Sequence, residues 1–169
     1  ALVNSANSQS VSSTLSNGTR NVAIIAITTD TSSNLNNLGA GLKTGIASVA
    51  MDIEKLAATT VGGYTLEKIS GTEAPIAGSV VGNVVTFTVS SFASDDLVNN
   101  GSTVYYLVKA TGVVKDAVSD KDDYIQVKFN ALNAGQVTYT ADTAVNGLAN
   151  VTDLRLGSIS KLDGVKISE

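Results

Sequence analysis

The residues best suited by type to do chemistry are four aspartates in one short stretch: Asp116, Asp120, Asp122 and Asp123. A hard cation such as Ca2+ takes roughly six to eight oxygen ligands, and carboxylates two positions apart can converge on one ion. Asp95, Asp96 or Asp30 could add oxygens from a neighbouring loop. The spacing is not that of an EF-hand, which needs a glycine at the sixth loop position and a glutamate at the twelfth. Lys115 and Lys121 sit in the same stretch and neutralise part of its charge. The bland alternative is therefore a solvated acidic turn, the commoner fate of such clusters.

Other chemistries are thinner. There is no His and no Cys, so a His-based triad, a thiol nucleophile, a zinc–thiolate site and a disulfide cannot be built from this chain. Ser, Asp and Lys could in principle supply a Ser–Lys hydrolase, but no G-x-S-x-G elbow occurs. Gly39-Ala-Gly41-Leu-Lys-Thr44 has the flavour of a phosphate loop without the required spacing. Tyr64, Tyr105, Tyr106, Tyr124 and Tyr139 could stack on a sugar. Tyr105 and Tyr106 are adjacent, so only one of them can face outward from a strand. Asn17, Asn100 and Asn150 each begin an N-x-[ST] sequon, about the number that chance supplies in so Ser- and Thr-rich a chain. No set of residues makes a convincing active site, and the chain reads as a non-enzyme.

Composition says more about what must position these residues. The chain has 169 residues, 43% hydrophobic and 15% charged, with a net charge of -4. That is enough apolar content to exclude disorder, and enough length for one domain with its own core. Without a basic block, no nucleic-acid partner is expected. The longest apolar run, Val22 to Ile27, is far too short for a membrane-spanning helix. There are 21 Val and 18 Thr, both β-branched, with 15 Gly, 14 Asn and 19 Ser to make turns. This is the composition of an all-β domain with a hydroxyl- and amide-rich surface, a profile common among prokaryotic cell-surface proteins. An extracellular or cell-surface location is the expectation, any leader peptide having been removed or lying outside this sequence.

Along the chain, residues 1–20 read as a polar N-terminal arm that is either loosely held or pairs elsewhere, and residues 21–169 as a single domain. Residues 21–29 form the clearest strand, apolar on both faces. Residues 42–58 carry two patterns. Leu42, Ile46, Val49, Ile53 and Leu56 recur at helical spacing among good helix formers. Val49, Met51 and Ile53 also alternate with Ser48, Ala50 and Asp52, as in a strand. The helix is the reading preferred. From Val61 onward the text is strand and turn: 64–69, then a hairpin of 79–81 and 84–89 about Gly82-Asn83, then 103–114, 124–129, 136–140, 153–159 and 165–167. Phe92 and Leu97 would anchor the longer connection over 90–102. Regularly spaced short strands predict an antiparallel β-sandwich, immunoglobulin-like or jelly-roll.

The stretch Gly78-Ser-Val-Val-Gly-Asn-Val-Val-Thr-Phe-Thr-Val89, with Asn99-Asn-Gly-Ser-Thr103, Val104-Tyr-Tyr-Leu-Val-Lys-Ala-Thr111 and the acidic loop after it, resembles immunoglobulin-like sandwich modules of prokaryotic cell-surface and S-layer-type proteins. That resemblance covers about 45 residues of strand patterning. It implies a structural role in an extracellular layer, stalk or filament, without catalysis. An open sandwich with one proline and few charges leaves its edge strands unblunted, so the expectation is self-association into a layer or filament through edge-strand pairing, with Ca2+ at the acidic loop to stiffen the contact. The alternative is an adhesin or carbohydrate-binding module of the same fold, with a glycan partner.

Overall fold

A computed structural model describes residues 2–28, 43–88, 98–99, 103–116, 123–130, 137–141 and 161–168. They form two antiparallel sheets and a small hairpin, and no helix occurs among them. The first sheet contains β1 (Leu2–Val3), β4 (Gly18–Thr28), β6 (Gly63–Lys68), β7 (Ile76–Ala77) and β11 (Thr103–Val113), in the order β1-β4-β11-β6-β7. The second contains β5 (Lys43–Lys55), β8 (Ser79–Val81), β9 (Val84–Thr88), β12 (Tyr124–Asn130) and β14 (Lys161–Ser168), in the order β14-β12-β5-β9-β8. Two further strands, β10 (Val98–Asn99) and β13 (Val137–Ala141), pair with β5. The predicted all-β sandwich is the architecture observed.

The core lies between the sheets. Val22, Ile25, Tyr106, Val108 and Ala110 from the first face Val49, Met51, Val85, Phe87, Ile125 and Val127 from the second. Each fully buried aliphatic or aromatic side chain contributes about 1.5–3 kcal/mol.

The helix expected over residues 42–58 is a strand, β5. Its burial has a period of two: Val49 and Met51 are 0% and Ile53 7% exposed, while Ser48, Ala50 and Asp52 between them are half-buried. Met51 lies off the helical stripe yet is sealed in the core, and Leu56 lies on it yet is only half-buried. Long-range pairing decided the matter. Along one edge β5 meets β12 at Asp52–Lys55 and β13 at Thr44–Val49; along the other it meets β9 at Ser48–Asp52 and β10 at Lys43–Thr44. Backbone bonds on both sides outweigh helix propensities of a few tenths of a kcal/mol per residue.

The hairpin at Gly82-Asn83 forms as read from the sequence, with Val81 paired to Val84 and Gly82 at φ 59°. The strands read at 136–140 and 165–167 correspond to β13 and β14. Phe92, Leu97 and the strand expected over 153–159 lie outside the described residues.

The segment before β4 packs on the sandwich. Leu2 and Val3 pair with Ile25 and Ile24. Next comes a hairpin of β2 (Ser5–Ala6) and β3 (Gln9–Ser10), whose turn residues Asn7 and Ser8 both have positive φ. The Asn7 side chain donates to the Ser70 hydroxyl at 3.3 Å, just beyond β6. On the face of this sheet turned away from the other, the cross-strand pair Ile24 and Leu107 is 0% and 1% exposed. Leu15 is also buried, and its N–H donates to the Ser168 carbonyl of β14 at 2.9 Å.

Gly78 alone connects β7 in one sheet to β8 in the other. A Cβ there would stand 2.5 Å from Val85 Cγ2 and 2.7 Å from Phe87 Cε1. Both neighbours are fully buried and cannot yield cheaply. Gly78→Ala should therefore lower unfolding free energy by about 1–3 kcal/mol, by overpacking. Denaturant melts of the two proteins check this, and an unchanged midpoint would refute the close corner.

Candidate functional site

The acidic stretch emerges at one end of the sandwich, where three chain segments meet. After β5 the chain turns through Leu56–Thr59, held by Thr59 N–H on the Leu56 carbonyl at 3.1 Å. Thr60 then pairs with Val114, which follows β11, and Leu56 N–H reaches the Tyr124 carbonyl at the start of β12. Asp123 sits between these segments and is 1% exposed; with Thr59 it makes up the buried polar residues among those described.

A buried carboxylate must be supplied with donors. Asp123 Oδ1 accepts the Thr59 hydroxyl at 2.8 Å, and Oδ2 accepts the Asp116 backbone N–H at 2.8 Å. Lys55 Nζ donates to the Thr59 carbonyl at 2.6 Å, which holds a positive charge on the same turn. Asp123 thus ties both ends of the 116–123 stretch to the end of β5. Both oxygens are engaged by the chain, and its burial denies it a substrate, so it is not placed to act as a general base.

Of the four aspartates nominated as Ca2+ ligands, the structure brings Asp116 and Asp123 together, through the Asp116 backbone and not its exposed carboxylate. Asp120 and Asp122 lie outside the described residues, as do Asp30, Asp95 and Asp96. Among the described residues, no group of three acidic side chains stands close enough to share a metal ion. Sequence reasoning missed Thr59 and Lys55, which no local motif marks.

The tyrosines divide by face. Tyr106 is fully buried and Tyr64 is 6% exposed, so neither offers a ring to a ligand. Tyr105 is half-buried on the outer face, and Tyr139 lies outside the residues whose side chains are described. Tyr124 donates its hydroxyl to Glu54 Oε1 at 3.0 Å, Lys128 pairs with the same carboxylate, and Lys166 lies 4.0 Å from the Tyr124 ring centroid. The Glu54 bond raises the pKa of Tyr124 and, likewise, that of Lys128. These are surface contacts across β5, β12 and β14, worth little individually.

A polar groove runs beside the start of β4, lined by Ser10, Ser12, Ser13, Thr14 and Ser16 with Arg20. The Arg20 guanidinium braces its own turn, donating to the Thr19 carbonyl at 2.6 Å, the Asn17 carbonyl at 2.7 Å and the Ser16 hydroxyl. Asn17, the first sequon asparagine, is exposed, and its Oδ1 accepts the Lys115 N–H at 2.9 Å. Asn100 and Asn150 lie outside the described residues.

No family model, curated protein or solved structure matches this chain.

Two outcomes follow. Thr59→Val leaves a buried carboxylate oxygen short of a donor, and should cost about 1–3 kcal/mol in urea unfolding; no loss would mean that Asp123 is not held as described. Burial pushes the Tyr64 hydroxyl up to about 12. The unfolded chain therefore gives up this proton first as pH rises. The contribution is intact below about pH 10, the ordinary tyrosine value, and is lost by about pH 12. Unfolding followed from pH 9 to 12 should show a decline that Tyr64→Phe reduces; identical curves for the two proteins would refute it.

Proposed function

We propose that this protein is an extracellular structural module that associates with copies of itself, the N-terminal segment of one copy completing the sandwich of the next. The observation that supports this reading most is how residues 2–15 are held. They add an edge strand to one sheet through Leu2 and Val3, and they bond the last strand of the other through Leu15. Between these anchors the segment is mostly Ser, Asn and Gln. It joins β4 at Gly18, whose φ of 101° is a conformation glycine adopts without strain. A segment anchored at two places and joined through such a joint can take the same seat on a neighbour, since the contacts are identical in cis and in trans. Head-to-tail exchange whose rotation does not close a ring builds a filament or layer. With Asp123 engaged by Thr59 and the Asp116 backbone, Ca2+ at Asp116, Asp120 and Asp122 would stiffen such an array, in keeping with the resemblance to S-layer-type modules. On this reading the protein is not an enzyme.

A second reading, a carbohydrate-binding module of the same fold, draws on the hydroxyl-lined groove at Arg20. Its mark would be glycan binding that Arg20→Ala or Tyr105→Ala removes.

The chain has no cysteine, which makes exchange directly measurable. Val3 lies opposite Ile24 in the β1–β4 register. Mixing Val3→Cys with Ile24→Cys protein under mild oxidation should give disulfides between unlike copies, in filaments or sheets visible by negative stain with Ca2+ present. Cross-links formed only within a chain carrying both cysteines, with dispersed particles in every condition, would overturn the proposal.

A further inference from the structure

Four strands end the two principal strand orders, while β10 and β13 lie off them and pair with β5 alone among the described residues. Of the four, three are guarded against pairing with another chain. β1 has two residues and packs beside β14. β14 carries Lys161, Asp163 and Lys166, and its last carbonyl is taken by Leu15. β7 also has two residues and is preceded by Pro75. Charge, proline and brevity are the usual ways in which proteins blunt an edge.

β8 is guarded by neither charge nor proline. Among the described residues no strand pairs with its outer edge, and Val80 and Val81, 49% and 77% exposed, are the one neighbouring pair among their exposed large hydrophobic side chains. No charged residue occurs between Glu73 and Asp95, so β7, β8 and β9 form a neutral side wall on a chain that elsewhere carries 26 charged side chains (11 + 15). Identical copies carry identical charge and repel one another wherever that charge is concentrated. The neutral wall is where two of them can approach without that cost.

The hydrogen-bond pattern specifies the contact. In a two-residue hairpin the residues flanking the turn bond each other, here Val81 and Val84. Antiparallel alternation then turns the N–H and C=O of Val80 to the outer edge. A second copy related by a two-fold axis places its own Val80 there, and the two residues exchange both bonds. Ser79 of each copy then faces Val81 of the other.

We propose that the β8 edge is a contact between two copies of this chain, an antiparallel β8–β8 pair centred on Val80 that joins their second sheets. It extends the self-association proposed above to another surface. Three residues a side fall well short of the roughly 800 Å² per partner of a stable interface. The contact is therefore weak between free molecules and gains strength where an array holds many copies together.

Cysteine trapping captures a contact of this kind. In the proposed pair the two Val80 Cα atoms lie about 5.5 Å apart, within disulfide reach, while the two Val81 Cα atoms are roughly 8 Å apart and outside it. Under mild oxidation at high protein concentration, Val80→Cys should form a covalent dimer at least about fivefold faster than Val81→Cys. Adding Val81→Lys to the Val80→Cys protein places like charges across the pair and should slow trapping by a similar factor. Both positions are substantially exposed, so the fold is retained. Equal trapping at the two positions, no dimer from either, or indifference to the added lysine would overturn the proposal. Trapping at Val80 without exchange between Val3 and Ile24 would leave this contact standing and remove the arm model; the converse result would do the reverse.

Discussion

Everything in this fold hangs on backbone pairing along both edges of β5. A strand of 13 residues carries a long row of donors and acceptors through the middle of a sheet, where water cannot serve them. β12 and β13 supply one side and β9 and β10 the other. With the strand so held, Val49, Met51 and Ile53 point at the first sheet, and Ser48, Ala50 and Asp52 point away. The inward residues set the level at which Phe87, Ile125 and Val127 meet them, and the hydrophobic layer follows.

Most of the architecture was legible because valine- and threonine-rich runs bounded by glycine and asparagine leave few alternatives. The Gly82-Asn83 hairpin and the strands of β4, β11 and β12 could be read directly. The exception was β5. Alanine, lysine and glutamate there favour a helix locally, and nothing within 42–58 reveals that four other segments will pair with it. The alternation of Val49, Met51 and Ile53 with Ser48, Ala50 and Asp52 hinted otherwise, with Met51 lying off the helical stripe. At the acidic end, the aspartates were visible as a cluster, yet the division of labour among them was not. Asp123 is buried because Thr59, 64 positions away, offers a hydroxyl. A pairing over that distance leaves no trace in local spacing.

The edges of the sandwich connect the fold to a use. A closed barrel has no ends, but two facing sheets have four, and each must be satisfied or shielded. This molecule treats them unequally. One side is sealed by the N-terminal segment, which reaches from β4 to β14, and the other by the corner at Gly78, where the chain steps between sheets. The first seal is the chain's own N-terminal segment, which on the proposed exchange would take the same seat on a neighbouring copy. The second leaves an uncharged strip of strand beside it. Association along one axis and association across it would then rest on different chemistry, so that the length and the breadth of an assembly could be tuned apart.

The carboxylate of Asp123 has one more implication. By fastening the chain at Asp116 and again where β12 begins, it isolates whatever lies between from the registers of β11 and β12. A disturbance arising between those two fastenings would have to break the Thr59 or the Asp116 bond before it reached the layers below.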